Sequence, residues 1–85
     1  MPKMLNEPIQ VLALFRNNKI IPLKFVWNKR PFLVDTINFV HEVQNGSVKT
    51  VNFAIATKTD AYQISFDTKS LTWRLCDVYT PTSGK

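Results

Sequence analysis

The chain has 85 residues, of which 45% are hydrophobic and 12% aromatic, a net charge of +5 and one cysteine, Cys76. This length suits one domain and not two, the apolar content can build a core without staples, and a lone cysteine excludes an internal disulfide. No apolar run approaches the roughly 20 residues of a membrane span, and Met1-Pro2-Lys3-Met4-Leu5 is not followed by the apolar stretch of a secretory signal; the expectation is a cytoplasmic protein with no membrane partner.

Met1 to Pro8 holds two prolines and no periodic pattern, which predicts a loose lead-in over residues 1–8. A first strand follows, Ile9 to Phe15. The turn Arg16-Asn17-Asn18-Lys19 supplies two asparagines that tolerate the positive φ of a tight hairpin. The second strand, Ile20 to Trp27, is expected to turn Ile21, Leu23, Phe25 and Trp27 to one face and Ile20, Pro22, Lys24 and Val26 to the other. Pro22 lacks a backbone donor and therefore marks an edge or a bulge.

After Asn28-Lys29-Arg30-Pro31 comes a long third strand, Phe32 to Gln44, whose parity changes partway. Phe32 and Val34 share one phase; Ile37, Phe39, His41 and Val43 share the other. A β-bulge near Asp35-Thr36 reconciles the two, because a one-residue slip flips every later side chain. Asn45-Gly46 is the strongest hairpin signal in the chain. The fourth strand, Ser47 to Thr57, points Val51, Phe53 and Ile55 inward. Thr57-Lys58-Thr59-Asp60 leads to a fifth, Ala61 to Asp67, with Tyr62, Ile64 and Phe66 inward, and Asp67-Thr68-Lys69-Ser70 to a sixth, Leu71 to Tyr79, with Leu71, Trp73 and Leu75 inward. Thr80 to Lys85 has nothing to bury and is expected to be a disordered tail. Short connections make sequential strands pair. The predicted fold is all-β: one domain over residues 9–79, a curled antiparallel meander of five to six strands forming a small, partly open barrel or roll.

Tyr62-Gln63-Ile64-Ser65-Phe66-Asp67, a turn ending at Ser70, and then Trp73-Arg74-Leu75, preceded by the aromatic-x-Trp strand Phe25-Val26-Trp27, resemble a group of short bacterial all-β domains of unknown function. The likeness covers about residues 19–79, and Asn28 stands where those domains place a glycine after the tryptophan. The resemblance implies a small bacterial β-protein and carries over no functional residue.

The positive charge is concentrated. Residues 1–34 hold Lys3, Arg16, Lys19, Lys24, Lys29 and Arg30 against Glu7 alone, whereas Lys49, Lys58, Lys69, Arg74 and Lys85 later balance Asp35, Glu42, Asp60, Asp67 and Asp77. Clustered bases neutralise phosphates and release counterions, so Arg16, Lys19, Lys24, Lys29 and Arg30 form a candidate polyanion-binding strip. Scattered lysines also serve solubility alone. Lys24 lies on the face opposite Trp27, and Trp27, Trp73, Tyr62 and Phe66 read as core rather than as stacking platforms.

Catalytic and metal chemistry lack the residues they need. One histidine, His41, and one cysteine cannot supply the three or four ligands of a zinc site, and free cysteine is usually a buried structural thiol. Asp60 and Asp67 sit in turns where a carboxylate bonds neighbouring backbone N–H groups, and Asp35 falls at the expected bulge. No cofactor is expected. The chain therefore reads as a non-catalytic interaction module whose leftover outward residues Val26, Val40 and Val78 pair it with a protein partner or a second copy. The alternative is single-stranded nucleic-acid binding through the basic strip.

Overall fold

Period-two alternation between turn signals can satisfy its backbone only in a sheet, and it does so almost throughout. The computed structural model describes residues 3–79, which form seven strands: β1 (Lys3–Arg16), β2 (Lys19–Trp27), β3 (Arg30–Leu33), β4 (Thr36–Asn45), β5 (Val48–Ala56), β6 (Ala61–Asp67) and β7 (Thr72–Tyr79). All pairings are antiparallel, in one sheet of order β3-β2-β1-β7-β6-β5-β4.

β1 is long enough to serve two neighbours. Its first half, to Ile9, pairs with β7, and its second half, from Gln10, pairs with β2. The sheet turns over about this strand into a roll with β3 and β4 at its edges. These edges do not pair with each other, so no barrel closes, yet two residues join them. Val34 N donates to Leu23 O at 2.9 Å, and the next amide, Asp35 N, donates to Ala56 O at 2.8 Å, carrying the chain from one edge to the other. The expected third strand is thus cut at this crossing, which raises the strand number to seven.

The expected loose lead-in is not observed where the structure describes it. Lys3–Pro8 belongs to β1, and Glu7 pairs with Leu75 and Pro8 with Arg74. Pro8 precedes the start of β2 pairing, so this stretch has a neighbour on one side only and the missing donor is tolerated there. Met1, Pro2 and the expected tail, residues 80–85, lie outside the described residues.

The core consists of Phe25, Val51, Phe53, Ile55, Tyr62, Ile64, Phe66, Trp73 and Leu75. β5 and β6 alternate as expected. Elsewhere three bulges reset the parity, and a further register shift falls between Met4 and Glu7 where β1 meets β7. Leu23 is the extra residue opposite Leu12/Ala13, so Ile20 and Pro22 join Phe25 and Trp27 on the inner face, and the expected Ile21-Leu23 phase is reversed. Pro22 is fully buried and lies where β2 has only β1 beside it, which accommodates its missing N–H. Cys76 is the extra residue between Leu75 and Asp77 opposite Ile64/Gln63, and it swings Val78 onto the core instead of leaving it outward.

The third bulge lies at Asn38, between Ile37 and Phe39, rather than at Asp35-Thr36. Phase does flip at the Asp35 crossing, since Ile37 faces the buried Ile55 across the ladder, but it flips back at once. Val40 and Glu42 therefore share the inner face with Phe53 and Val51, while Phe39, His41 and Val43 point outward with Ala54, Asn52 and Thr50. Inward Phe39, His41 and Val43 were the expectation; two flips instead of one account for the error.

The hairpin turns follow the sequence with one change. Asn17 (φ 53°) and Asn18 (φ 61°), like Asn28 (55°) and Lys29 (63°), take the paired positive φ of a type I′ turn. In the fourth connection Asn45 is already paired with Val48, so the central residues are Gly46 (φ 61°) and Ser47, with glycine first as in a type II′ turn. Leu71, expected inward, closes the last turn at φ 60° and is 71% exposed.

Candidate functional site

Two surfaces stand out, on strands far apart in the sheet order. The first is the edge formed by β4. Ten residues long, it pairs on one side with β5 and on the other with no described residue. An open edge offers a row of unpaired N–H and C=O groups that another strand can use, and proteins usually guard such edges with lysine or proline. β4 contains neither, although it carries the bulge at Asn38 and the inner-face Glu42. Its one acid, Glu42, is held by Lys49 Nζ at 3.1 Å, and Phe39 (61% exposed) and Val40 (50% exposed) stand on opposite faces. Phe39 lies parallel to His41, ring centroids 6.1 Å apart. Beside the edge, where the upper half of β2 also lacks a second neighbour, opens a cleft of about 420 Å³ lined by Ile20, Ile21, Ile37, Val40 and Phe53, with Lys19 and Glu42 at its rim.

The second surface is the outer face of β1, β2 and β3. Register places Leu12, Lys24 and Leu33 in one row across the three strands, Leu14 beside Ile21 above it, and Gln10, Val26 and Pro31 below. Arg16 pairs with Lys19 at the tip of the β1–β2 hairpin, and Lys29 occupies the next turn. No acid falls on these rows.

The sequence-predicted basic residues therefore distribute as follows. Arg16, Lys19 and Lys24 share the outer face and Lys29 lies at its lower end. Arg30 pairs with Trp27 on the inner phase instead. From Lys19 to Trp27 the strand rises roughly 26 Å at about 3.3 Å per residue, so the strip is long and sparse. Among the described residues none of the five has a carboxylate within salt-bridge distance. The tryptophans stay with the core: Trp73 lies against Phe66 with ring centroids 4.6 Å apart, and Trp27 donates its Nε1–H to Glu7 Oε1 at 2.8 Å.

Several of the other titratable groups have local explanations. Asp67 Oδ1 accepts from Lys69 N (2.9 Å) and Ser70 N (3.2 Å), and these bonds hold its carboxyl below the usual carboxylate range. Asp60 differs from the expectation, since Thr57 makes the loop's side-chain bonds to backbone and Asp60 Oδ2 accepts from the Tyr62 hydroxyl at 3.3 Å. Burial, with Asp60 alongside, pushes the Tyr62 phenol upward. Cys76, half-buried at its bulge, donates to Ser65 Oγ at 3.5 Å. Among the described residues no three His, Cys, Asp or Glu side chains gather as a metal site would require.

Sequence reasoning missed the edge because β4 was read as an inward strand, and it missed the apolar face because the parity of β2 was read as unbroken although Pro22 had marked an edge or a bulge. A signal for the edge was present: a ten-residue strand lacking lysine and proline next to strands that carry them. Comparison with family models, curated proteins and solved structures returns no match, so the chain's own surfaces are what a functional reading has to rest on.

Proposed function

We propose that the protein is a small non-catalytic interaction module that self-associates by antiparallel pairing of β4 with β4 of a second copy. The observation that carries this reading is the open edge of β4, ten residues with no lysine or proline and with their one acid, Glu42, compensated by Lys49. Pairing would satisfy its free backbone groups, and a two-fold relation lets one surface serve both partners. The edge is almost neutral because Lys49 compensates Glu42, so two copies meet there without the repulsion that their basic faces would impose. Ile37 and Val40, half-exposed over the cleft, gain cover from the same residues of the partner.

Light scattering over a concentration series tests the reading. The unmodified protein is expected to reach the mass of a dimer, and Phe39→Lys with His41→Lys, which places lysines on the exposed outer face of the edge, is expected to return it to monomer with its circular dichroism unchanged. A monomer at the highest concentration, or a dimer indifferent to both lysines, rules self-association through β4 out.

A further inference from the structure

The outer face of β1–β2–β3 is unlike the β4 edge in chemistry and stands independently of it. We propose that this face docks on the surface of an anionic lipid bilayer, its leucines entering the headgroup boundary and its bases contacting lipid phosphates and carboxylates. Span length alone had set a membrane partner aside, but a bilayer can be met at its surface without being crossed.

Three observations carry the proposal. The first is apolar exposure in an ordered array: Leu12 is 62% exposed and Leu33 71%, and both flank Lys24 in one row. The second is charge. Arg16 and Lys19 at one end, Lys24 at the centre and Lys29 at the other end make no salt bridge and share no row with an acid, and Asp35, which lines a hollow beside Leu33, leaves the bases in excess, so a second copy of this surface is repelled and an anionic one attracted. Lys24, whose stem is partly covered between two leucines, can keep its ammonium at the headgroups while its methylenes stay with the apolar side chains. The third is residue type. Protein hot spots favour Trp, Tyr and Arg, and protein interfaces are depleted in lysine, whereas leucine beside lysine suits a surface that is acyl chain within and anionic without. A single-stranded nucleic acid would use the same bases but would want aromatic platforms. The face has none, and its exposed leucines would then have no role.

Sedimentation with vesicles tests it. The full chain is expected to bind vesicles of phosphatidylcholine and phosphatidylserine in equal parts, to bind phosphatidylcholine alone far more weakly, and to release at high salt. Lys19→Gln with Lys29→Gln should weaken partitioning roughly 30-fold, at about 1 kcal/mol for each base near an anionic surface. Leu12→Ser with Leu33→Ser should weaken it while leaving the net charge intact; both residues are exposed, and unchanged circular dichroism would verify the fold. No binding to the mixed vesicles overturns the proposal, as does vesicle binding indifferent to the leucine changes. Binding of an oligothymidylate that survives the leucine changes, with no vesicle binding, assigns the face to nucleic acid instead. Light scattering of the leucine variant keeps the two surfaces apart, since neither Leu12 nor Leu33 lines the cleft beside β4.

Discussion

β4 and β6 flank the same strand, β5, and both alternate apolar with polar residues, yet they end in opposite environments. β6 has β5 on one side and β7 on the other, and Tyr62, Ile64 and Phe66 are buried. β4 has β5 alone, and every one of its residues except Val43 is exposed. Alternation thus specifies which side chains share a face; it does not specify whether anything covers that face. Cover comes from the opposite layer of the roll, and over β4 that layer stops at the cleft beside the upper half of β2.

Truncation on the two strands should separate them most clearly. Ile64→Ala opens a void in a site with no exposure, and such a change typically costs about 2–5 kcal/mol. Phe39→Ala removes a larger side chain from the outer face of β4 and should stay within about 0.5 kcal/mol, as exposed substitutions do. Urea denaturation of both variants at a concentration where the protein is monomeric measures the contrast. Equal losses would mean that Phe39 is covered in solution, and the comparison of the two strands would collapse.

Turns provide a second contrast, between positions whose residue fits the backbone and positions whose residue does not. Asn17, Asn18 and Gly46 suit positive φ, whereas Leu71 and Lys29 hold it at 60° and 63° with ordinary side chains. A left-handed L-residue is strained by roughly 1–2 kcal/mol, and a new glycine returns part of that gain by loosening the unfolded chain by about 0.4–1 kcal/mol. Leu71→Gly should therefore stabilise the protein by a net of about 0.5–1 kcal/mol, and Lys29→Gly by a similar amount. Thermal melts that fall for both would show that Leu71 and Lys29 make contacts outweighing their strain.

How much of this was legible in the sequence follows from the same physics. Most strands, their antiparallel hairpin pairings and the whole inner face of β5 and β6 could be read, because alternation there runs unbroken from turn to turn; the pairing of β1 with β7, where sequential pairing was expected throughout, could not. The inner faces of β2, β4 and β7 could not be read in full. Each carries one bulged residue, Leu23, Asn38 or Cys76, and a bulge leaves no mark in composition while reversing every assignment beyond it. Pro22 hinted at the first. The basic strip was visible as a list of residues, but whether they share a face depended on the missed bulge, and Arg30 fell on the other side. The split of the expected third strand into β3 and β4 also escaped, since only the roll shows that consecutive amides at Val34 and Asp35 find carbonyls on different strands.

The smallest expected effect contrasts the two ends of β6. At its exposed end, the backbone amides of Ser70 and Lys69 favour the ionised form of Asp67 and lower its pKa from the ordinary value of 3.8. The bonds therefore contribute stability that is present above the unfolded value and lost as pH falls through the lower folded one. At its buried end, desolvation, followed by the neighbouring Asp60 carboxylate, favours the neutral phenol of Tyr62 and raises its pKa from 10.0. That contribution has the opposite sense, present below the unfolded value and lost as pH rises through the folded one. Urea midpoints followed against pH should show an acid limb that is shallower in Asp67→Asn, which keeps an acceptor for the amides but cannot titrate, and an alkaline limb shallower in Tyr62→Phe. Each substitution should alter one limb and leave the shape of the other unchanged. An Asp67→Asn acid limb that superimposes on the unmodified protein's would mean that the turn's two amide bonds are as well satisfied by water, and the rigid turn at the top of β6 would then owe nothing to its carboxylate.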